Sequence, residues 1–246
     1  MKDNFSRQSD LYAKYRPSYP QELYNFILQY IQDKEAAWDC GTGNGQAASE
    51  LSKYFKKVFA TDISSKQIQH AHQVKNIFYS EQPAEKTTFQ GQSFDLITVA
   101  QAIHWFNFEN FFKEVKRVAK PKAILAVWAY SLLQVDDNID KIIQYYYVET
   151  IGAWWDNERK YVDEEYKTIP VPFNEIKSPP LNIEVFWSLS DLEGFFNTWS
   201  ALIKFVSANH YNPVIDLIKK IEPFWGTQEK RKIIFPVFLR LGRVNE

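Results

Sequence analysis

An α/β protein built on a doubly wound, mostly parallel sheet is predicted from three observations. Between residues 36 and 130, short apolar runs alternate with amphipathic helical stretches, the pattern of parallel strands joined by right-handed crossovers. The first run ends in an acidic residue and passes into a turn with glycine at alternate positions, Ala37-Trp38-Asp39-Cys40-Gly41-Thr42-Gly43-Asn44-Gly45-Gln46. A strand, tight turn and helix N-terminus read this way where the main chain itself must meet a ligand. After Tyr130 the rhythm changes to aromatic helical pieces broken by prolines, which predicts a cap over the ligand face together with the last strands of the sheet.

Composition narrows the function classes. The chain has 246 residues, 45% hydrophobic and 24% charged, ordinary values for a domain able to bury a sizeable core and carry an appended subdomain. Its 29 basic and 30 acidic residues leave a net charge of -1, so no global field favours nucleic acid or an anionic membrane. A lone cysteine excludes an internal disulfide and cysteine-rich zinc sites. His70, His72 and His210 lack acidic or cysteine partners at ligand spacing, so no metal is expected. Residues 1–10 are polar and mixed in charge, unlike a signal peptide, and no apolar run nears the ~20 residues of a membrane-spanning helix. The expectation is a soluble cytoplasmic protein, a monomer or weak dimer, acting on a small molecule without a nucleic-acid or membrane partner.

Arg16 to Pro20 is extended, because a residue ahead of proline avoids the helical region. Pro20 then suits the first turn of a helix with Leu23, Phe26, Ile27 and Tyr30 on one face. Residues 1–35 are read as an N-terminal lid segment and first helix. In the core, residues 36–130, strands are expected at Ala36–Cys40, Lys57–Thr61, Asn76–Ser80, Phe94–Ala100 and Ala123–Ala129. Helices are expected at Gly45–Tyr54, at Ser64–Val74 with Ser64 as cap, and at Phe108–Ala119, with a turn at Gln90–Ser93. The cap, residues 131–230, should hold helices at Asp136–Ile151, Asp191–Phe205 and Asn212–Ile221 and strand character at Leu181–Leu189. Residues 231–246 carry the final strand, where Pro236 suggests an edge position or a bulge. The basic run Lys113, Lys116, Arg117, Lys120 and Lys122 has the spacing of a solvated helix face.

The glycine turn does not fit the dinucleotide fingerprint, which would need glycine at Gln46, and no phosphate-cradling lysine motif is present. A glycine turn without a phosphate clamp suits a ligand that packs flat on the backbone. Asp62 follows the second strand about 20 residues later, where a carboxylate can accept hydrogen bonds from both ribose hydroxyls. It would otherwise serve as a helix cap, a task Ser64 already suits. Ala84-Glu85, after the third strand, reads either as a contact for an adenine amino group or as a surface glutamate. The fourth strand ends in Gln101-Ala102-Ile103-His104-Trp105-Phe106. In open parallel sheets ligands lie at the C-terminal strand ends, so Gln101, His104 and Trp105 should face the crevice.

These residues carry a family resemblance. Asp39-Cys40-Gly41-Thr42-Gly43-Asn44-Gly45 resembles the first motif of class I S-adenosylmethionine-dependent methyltransferases. Phe94 to Phe106, Tyr15-Arg16-Pro17-Ser18-Tyr19-Pro20 and Thr198-Trp199-Ser200 are similar to the trans-aconitate methyltransferase-like branch. The resemblance covers residues 12 to about 130 closely and the remainder thinly. It implies a Rossmann-like sheet of seven strands in the order 3-2-1-4-5-7-6, the last antiparallel. It also implies S-adenosyl-L-methionine as cofactor, S-adenosyl-L-homocysteine as product, and a small-molecule acceptor such as a carboxylic acid. By position, Asp39, Gly41, Thr42, Gly43 and Asn44 would hold the cofactor's methionine end. Asp62 would hold the ribose, Ile63 would pack on adenine, Ala84 and Glu85 would face its edge, and the Gln101 backbone would lie near the sulfonium. Arg16 would pair with the cofactor carboxylate or orient an acidic acceptor beside His104. Tyr12, Tyr15, Tyr19, Trp105 and Trp199 would line the acceptor pocket with His104. Spreading of the third-strand end over Ser80 to Glu85 leaves Glu81 and Glu85 as alternatives for the adenine-side acid. Pro121-Lys122-Ala123 departs from the glycines usual before the fifth strand. His104 reads as an orienting group for a carboxylate or as a general base for a hydroxyl or nitrogen acceptor. A non-catalytic cofactor-binding module remains the alternative to an enzyme.

Overall fold

The computed structural model describes residues 15–244. Seven strands form one sheet: β1 (Ala36–Cys40), β2 (Lys57–Asp62), β3 (Ile77–Glu81), β4 (Phe94–Ala100), β5 (Ala119–Tyr130), β6 (Leu181–Trp187) and β7 (Arg231–Arg243). Their order is β3-β2-β1-β4-β5-β7-β6. The first five strands pair in parallel, and β7 runs antiparallel to both β5 and β6. The expected doubly wound architecture and strand order are thus the observed ones.

The central strands β1, β4 and the later part of β5 are buried because both faces of the sheet are covered there, whereas β6 at the edge alternates buried and exposed residues. On one face Ala37, Leu96, Ile124, Ala126 and Trp128 pack against helices α1 (Gln21–Leu28) and α2 (Gln46–Leu51). On the other, Trp38, Ile97, Val99, Leu125, Val127 and Ala129 pack against Phe111, Val115 and Val118 of a later helix. The helix α3 (Ser65–Gln69) follows β2, and that later helix, α4 (Phe108–Val118), follows β4. Burying a large side chain such as Trp38, Phe111 or Trp128 contributes ~1.5–3 kcal/mol each, so this double layer holds the strand ends rigidly in register.

The chain after β5 forms α5 (Asp137–Tyr145), a π turn at Tyr146–Thr150, α6 (Arg159–Asp163), α7 (Leu189–Phe196), α8 (Ser200–Asn209) and α9 (Val214–Trp225). The aromatic run at 145–147 does pack inward in part, with Tyr146 and Tyr147 buried against Trp199 and Tyr145 exposed.

Several expected elements differ in extent. The helix expected at Ser64–Val74 ends at Gln69, although Ser64 caps it as expected, its Oγ accepting from the Gln67 amide. The helix expected at Asp191–Phe205 is two helices. Asn197 closes α7, and Thr198 folds back on it through its hydroxyl bond to the Phe195 carbonyl before Trp199 opens α8. β5 begins at Ala119, ahead of Pro121. Pro236 lies in an internal strand rather than at the edge. Its carbonyl accepts from the Ser131 amide just past the end of β5, and pairing resumes at Gln134–Ile234, so the missing N–H interrupts the ladder at one point only.

Candidate active site

The site is built at the C-terminal ends of β1, β2 and β4. Leaving β1, the chain crosses Gly41, Gly43 and Gly45 at φ values of +67°, +55° and +80°, a region costly to residues with a Cβ. Space adds a second reason at Gly41, where a Cβ would sit 2.7 Å from that of Ala102. At Gly43 a Cβ would meet nothing within 4 Å and would project into the open cleft that this residue lines. The Thr42 amide donates to the Thr61 carbonyl at 2.9 Å, which ties the turn to the end of β2.

Two aspartates brace this turn from opposite sides. Asp39 is 1% exposed, and its carboxylate accepts from the hydroxyls of Thr42 at 2.5 Å and Thr98 at 2.7 Å. Burial pushes its pKa up to about 6, against the opposing pull of those two hydroxyls. Asp39 lies behind the turn and does not line the cleft. Asp62 does line it. Its Oδ2 accepts from the Gly43 amide and its Oδ1 from the Ser64 amide, each at 2.9 Å. Its carboxylate thus ties the turn to the end of β2 at the wall of the cleft.

The cleft encloses about 1060 Å³ between the glycine turn, Asp62, Ile63 and Gln67 on one side and Arg16, Tyr19, Gln101, Trp105 and Tyr130 on the other. Gln101 ends β4 at φ +56°, sparsely populated for a residue with a side chain and typical of ligand-bearing positions. It is held there by its amide bond to the Trp128 carbonyl at 2.8 Å and by its Oε1, which accepts from the Tyr130 amide at 3.1 Å. Arg16 donates to the Tyr130 hydroxyl at 2.6 Å and lies 5.3 Å over the Phe195 ring. These contacts fasten the N-terminal segment to β5 and to the cap.

A second chamber of about 700 Å³ shares Arg16, Gln101, Trp105 and Tyr130 with the first. Its other walls are His104, Trp155, Asp156, Arg159, Phe195 and Trp199. Arg159 lies 4.8 Å over Trp155 and 5.3 Å over Tyr147 and donates to the Tyr147 hydroxyl at 2.6 Å. Asp156 pairs with Lys204 at 2.6 Å and Arg159 with Asp163 at 3.3 Å, so the two arginines enter the chamber as members of ion-pair and ring contacts. His104, 7% exposed, sits in a short 3₁₀ turn at Ile103–Trp105 with Nδ1 2.8 Å from the Tyr166 hydroxyl. Burial, seconded by the Arg159 charge, lowers its pKa to about 3.

The structure therefore gathers Arg16, Gly41, Thr42, Gly43, Asn44, Asp62, Ile63 and Gln101 around one cleft. Tyr19 joins that cleft, while Trp199 and His104 face the second chamber and Trp105 lines both. Besides Asp39, which was expected to hold the cofactor and instead lies off the cleft, three expected positions fall elsewhere. Ala84 is buried beneath the other face of the sheet, and Glu85 accepts from the Asn107 amide at 2.9 Å at the start of α4. Neither they nor Glu81 line the cleft, whose polar groups beyond Ile63 are Ser64 and Gln67. Tyr15 touches neither chamber and packs its ring against Gly194. Tyr12 lies outside the described residues. Sequence reasoning missed Gln67, Arg159 and Tyr166. Gln67 had a signal, one helical turn past Ile63, whereas nothing local marks the other two. Among the described residues no cluster of three metal-ligating side chains occurs, and no helix is long and apolar enough to cross a membrane.

A strand-end cleft floored by a glycine turn, on a sheet whose seventh strand inserts antiparallel between the fifth and sixth, defines an α/β enzyme with the class I methyltransferase architecture. Comparison with known proteins agrees. The family model described as a methyltransferase domain matches residues 38–127. A Dictyostelium discoideum protein named as a methyltransferase is 35% identical over 98% of this chain and 95% of its own length. A Saccharomyces cerevisiae protein named as an S-adenosylmethionine-dependent methyltransferase is 29% identical over 68% of this chain and 59% of its own. A structure from Anaeromyxobacter dehalogenans, described as a type II methyltransferase, superposes with a TM-score of 0.87 at 34% identity, covering 94% of this chain and 98% of that one. The chain belongs to the class I S-adenosylmethionine-dependent methyltransferases and is an enzyme of that family.

Proposed function

We propose that this enzyme transfers a methyl group from S-adenosyl-L-methionine to the carboxylate of a small organic acid bound in the second chamber. The carrying observation is a pair of contiguous chambers meeting at Arg16, Gln101, Trp105 and Tyr130, the outer one aromatic and lined by a second arginine. The likeness of residues 94–106 and of the Tyr15 to Pro20 segment to the trans-aconitate methyltransferase-like branch supports an acidic acceptor.

The residues present suit the cofactor. Gly43 opens onto unfilled space that a side chain would occupy, so the main chain can lie against a flat ligand. Asp62 takes the ribose hydroxyls, Ile63 the adenine face and Gln67 its polar edge. Asn44, the turn amides and the Gln101 backbone meet the amino-acid end, with Arg16 balancing a carboxylate. Asp39 acts through Thr42 by fixing the turn. Ala84 and Glu85 support the loop before α4. The sequence segments then act as a lid and first helix over the described part of residues 1–35, a cofactor core over 36–130, a specificity cap over 131–230 and a closing strand over the described part of 231–246.

The cofactor supplies an electrophilic methyl group on a positively charged sulfur. When bound it would give that methyl to a lone pair of an acceptor carboxylate oxygen, the electrons of the broken C–S bond staying on sulfur. Opposite charges vanish and no proton moves, so no base is needed. Arg16 and Arg159 hold the acid, and Trp105, Trp155 and Trp199 exclude water. Alignment of the reacting atoms at ~3 Å supplies much of the acceleration, and desolvation of both charges adds to it.

The test is incubation with methyl-labelled cofactor against panels of carboxylic acids, phenols and amines. Labelled methanol released by mild alkali from acid-panel products is expected, because carboxyl methyl esters hydrolyse and ethers and methylamines do not. Label found in base-stable products alone would refute carboxyl transfer.

A further inference from the structure

We infer that Tyr166 is a positioning residue that locks His104 as its Nε2–H tautomer, so that the second chamber receives a hydrogen-bond donor from His104 and no base. The tautomer follows from this chain alone, whereas its use on an acceptor rests on the methyl-transfer reading above.

Tyr166 is fully buried, among Phe238 and the other residues of the α4-side core. Its hydroxyl lies 2.8 Å from His104 Nδ1 and has no second partner among the described residues. A phenol can give one hydrogen and accept another. If Nδ1 carried the ring proton and donated to the phenol oxygen, the phenol hydrogen would be stranded in an apolar core, a costly outcome. If the phenol donates to Nδ1, both groups are satisfied and the ring proton must sit on Nε2. Tyr166 does not line the chamber and His104 does, so Nε2 is the nitrogen left to face it.

The backbone shows that this aim is imposed. Glu165 and Tyr166 both take left-handed conformations, at φ +53° and +58°, unfavourable for residues with side chains. They are held there by the Tyr166 amide bonded to the Tyr161 carbonyl at 2.7 Å. Arg240 completes the clamp, donating to the Tyr166 carbonyl at 2.5 Å and the Ile169 carbonyl at 2.6 Å. Burial first and the Arg159 charge second disfavour an imidazolium and lower the His104 pKa. A chamber nitrogen that donates and cannot take up a proton suits acceptors that are already anionic and gives no base to acceptors that must lose a proton to His104.

The closing experiment is long-range ¹H–¹⁵N correlation of histidine-labelled enzyme at neutral pH, with no cofactor or acceptor present. The four histidines are distinguished by the signal lost in His104→Gln. A His104 pattern with the proton on Nε2 and an acceptor-type Nδ1 is expected, shifting toward a tautomer mixture in Tyr166→Phe. A proton on Nδ1 in the wild type would overturn the inference even if Tyr166→Phe does not fold. In kinetics with S-adenosyl-L-methionine and the acids found active above, His104→Gln, which keeps an amide donor, should retain turnover within tenfold, and His104→Glu should lose more than a hundredfold. Comparable losses in both variants would remove the donor role. Failure of every acid in the panel would count against the carboxyl-transfer reading while leaving the tautomer result standing.

Discussion

Replacing Asp62 with alanine removes a carboxylate that performs two tasks. Its oxygens accept from the amides of Gly43 and Ser64 at 2.9 Å each, and the residue lines the cleft where the ribose is proposed to lie. Leaving a pair of ribose hydroxyls without an acceptor costs ~1–3 kcal/mol. At ~1.4 kcal/mol per decade, that is roughly a 5- to 150-fold rise in the Kd for S-adenosyl-L-homocysteine. The two main-chain amides also lose their acceptor. Asp62 is only half-buried, so water replaces part of that loss and the folding cost stays near ~1 kcal/mol, about 2–4 °C in melting temperature for a chain of this size. Titration calorimetry measures the first effect, and thermal unfolding without ligand measures the second. A lower melting temperature with an unchanged Kd would reduce Asp62 to a brace for the turn and refute the ribose assignment. Asparagine offers no conservative escape. One of its terminal atoms is a donor and would confront an amide N–H, so Asp62→Asn should bind as poorly as the alanine variant.

Other perturbations separate the remaining parts of the site. Asp39 holds a proton more tightly folded, at about 6, than unfolded, at ~3.9. Its contribution to stability is therefore full below ~4 and lost as pH rises through about 6. Asp39→Asn lacks this titration, so the melting temperature of the variant relative to wild type should climb between pH 4 and 7, and a flat difference would show that Asp39 is not perturbed. Gly41→Ala, whose Cβ would press on Ala102 at 2.7 Å, should lower melting temperature more than Gly43→Ala. The Gly43 variant should instead lose affinity for S-adenosyl-L-homocysteine, and equal effects on both readouts would deny the cleft geometry. Arg159→Gln should raise the acceptor KM at least tenfold, the scale of one lost charge-assisted bond, with cofactor affinity within twofold. A parallel fall in cofactor affinity would place Arg159 in the wrong chamber.

The parts of the site that were legible in the sequence are local in the chain. A left-handed turn requires glycine, so Gly41, Gly43 and Gly45 announce themselves, and Asp62 follows one crossover later because a strand and a helix fix that spacing. Glu85 was misplaced for the converse reason. The loop after β3 has no period, and whether its acid turns to the cleft or caps the entry to α4 depends on Asn107, more than twenty positions away. Arg159 and Tyr166 were invisible because each is an ordinary residue in a short aromatic stretch, and only packing brings them beside His104.

The sequence by itself determined the layered sheet and the glycine turn, since apolar periodicity and the steric demands of a left-handed backbone are written residue by residue. Tertiary structure alone decided the second chamber and the protonation state of its histidine. Both depend on contacts between segments some 60 residues apart, such as the one joining His104 to Tyr166, and no local pattern encodes where such segments meet.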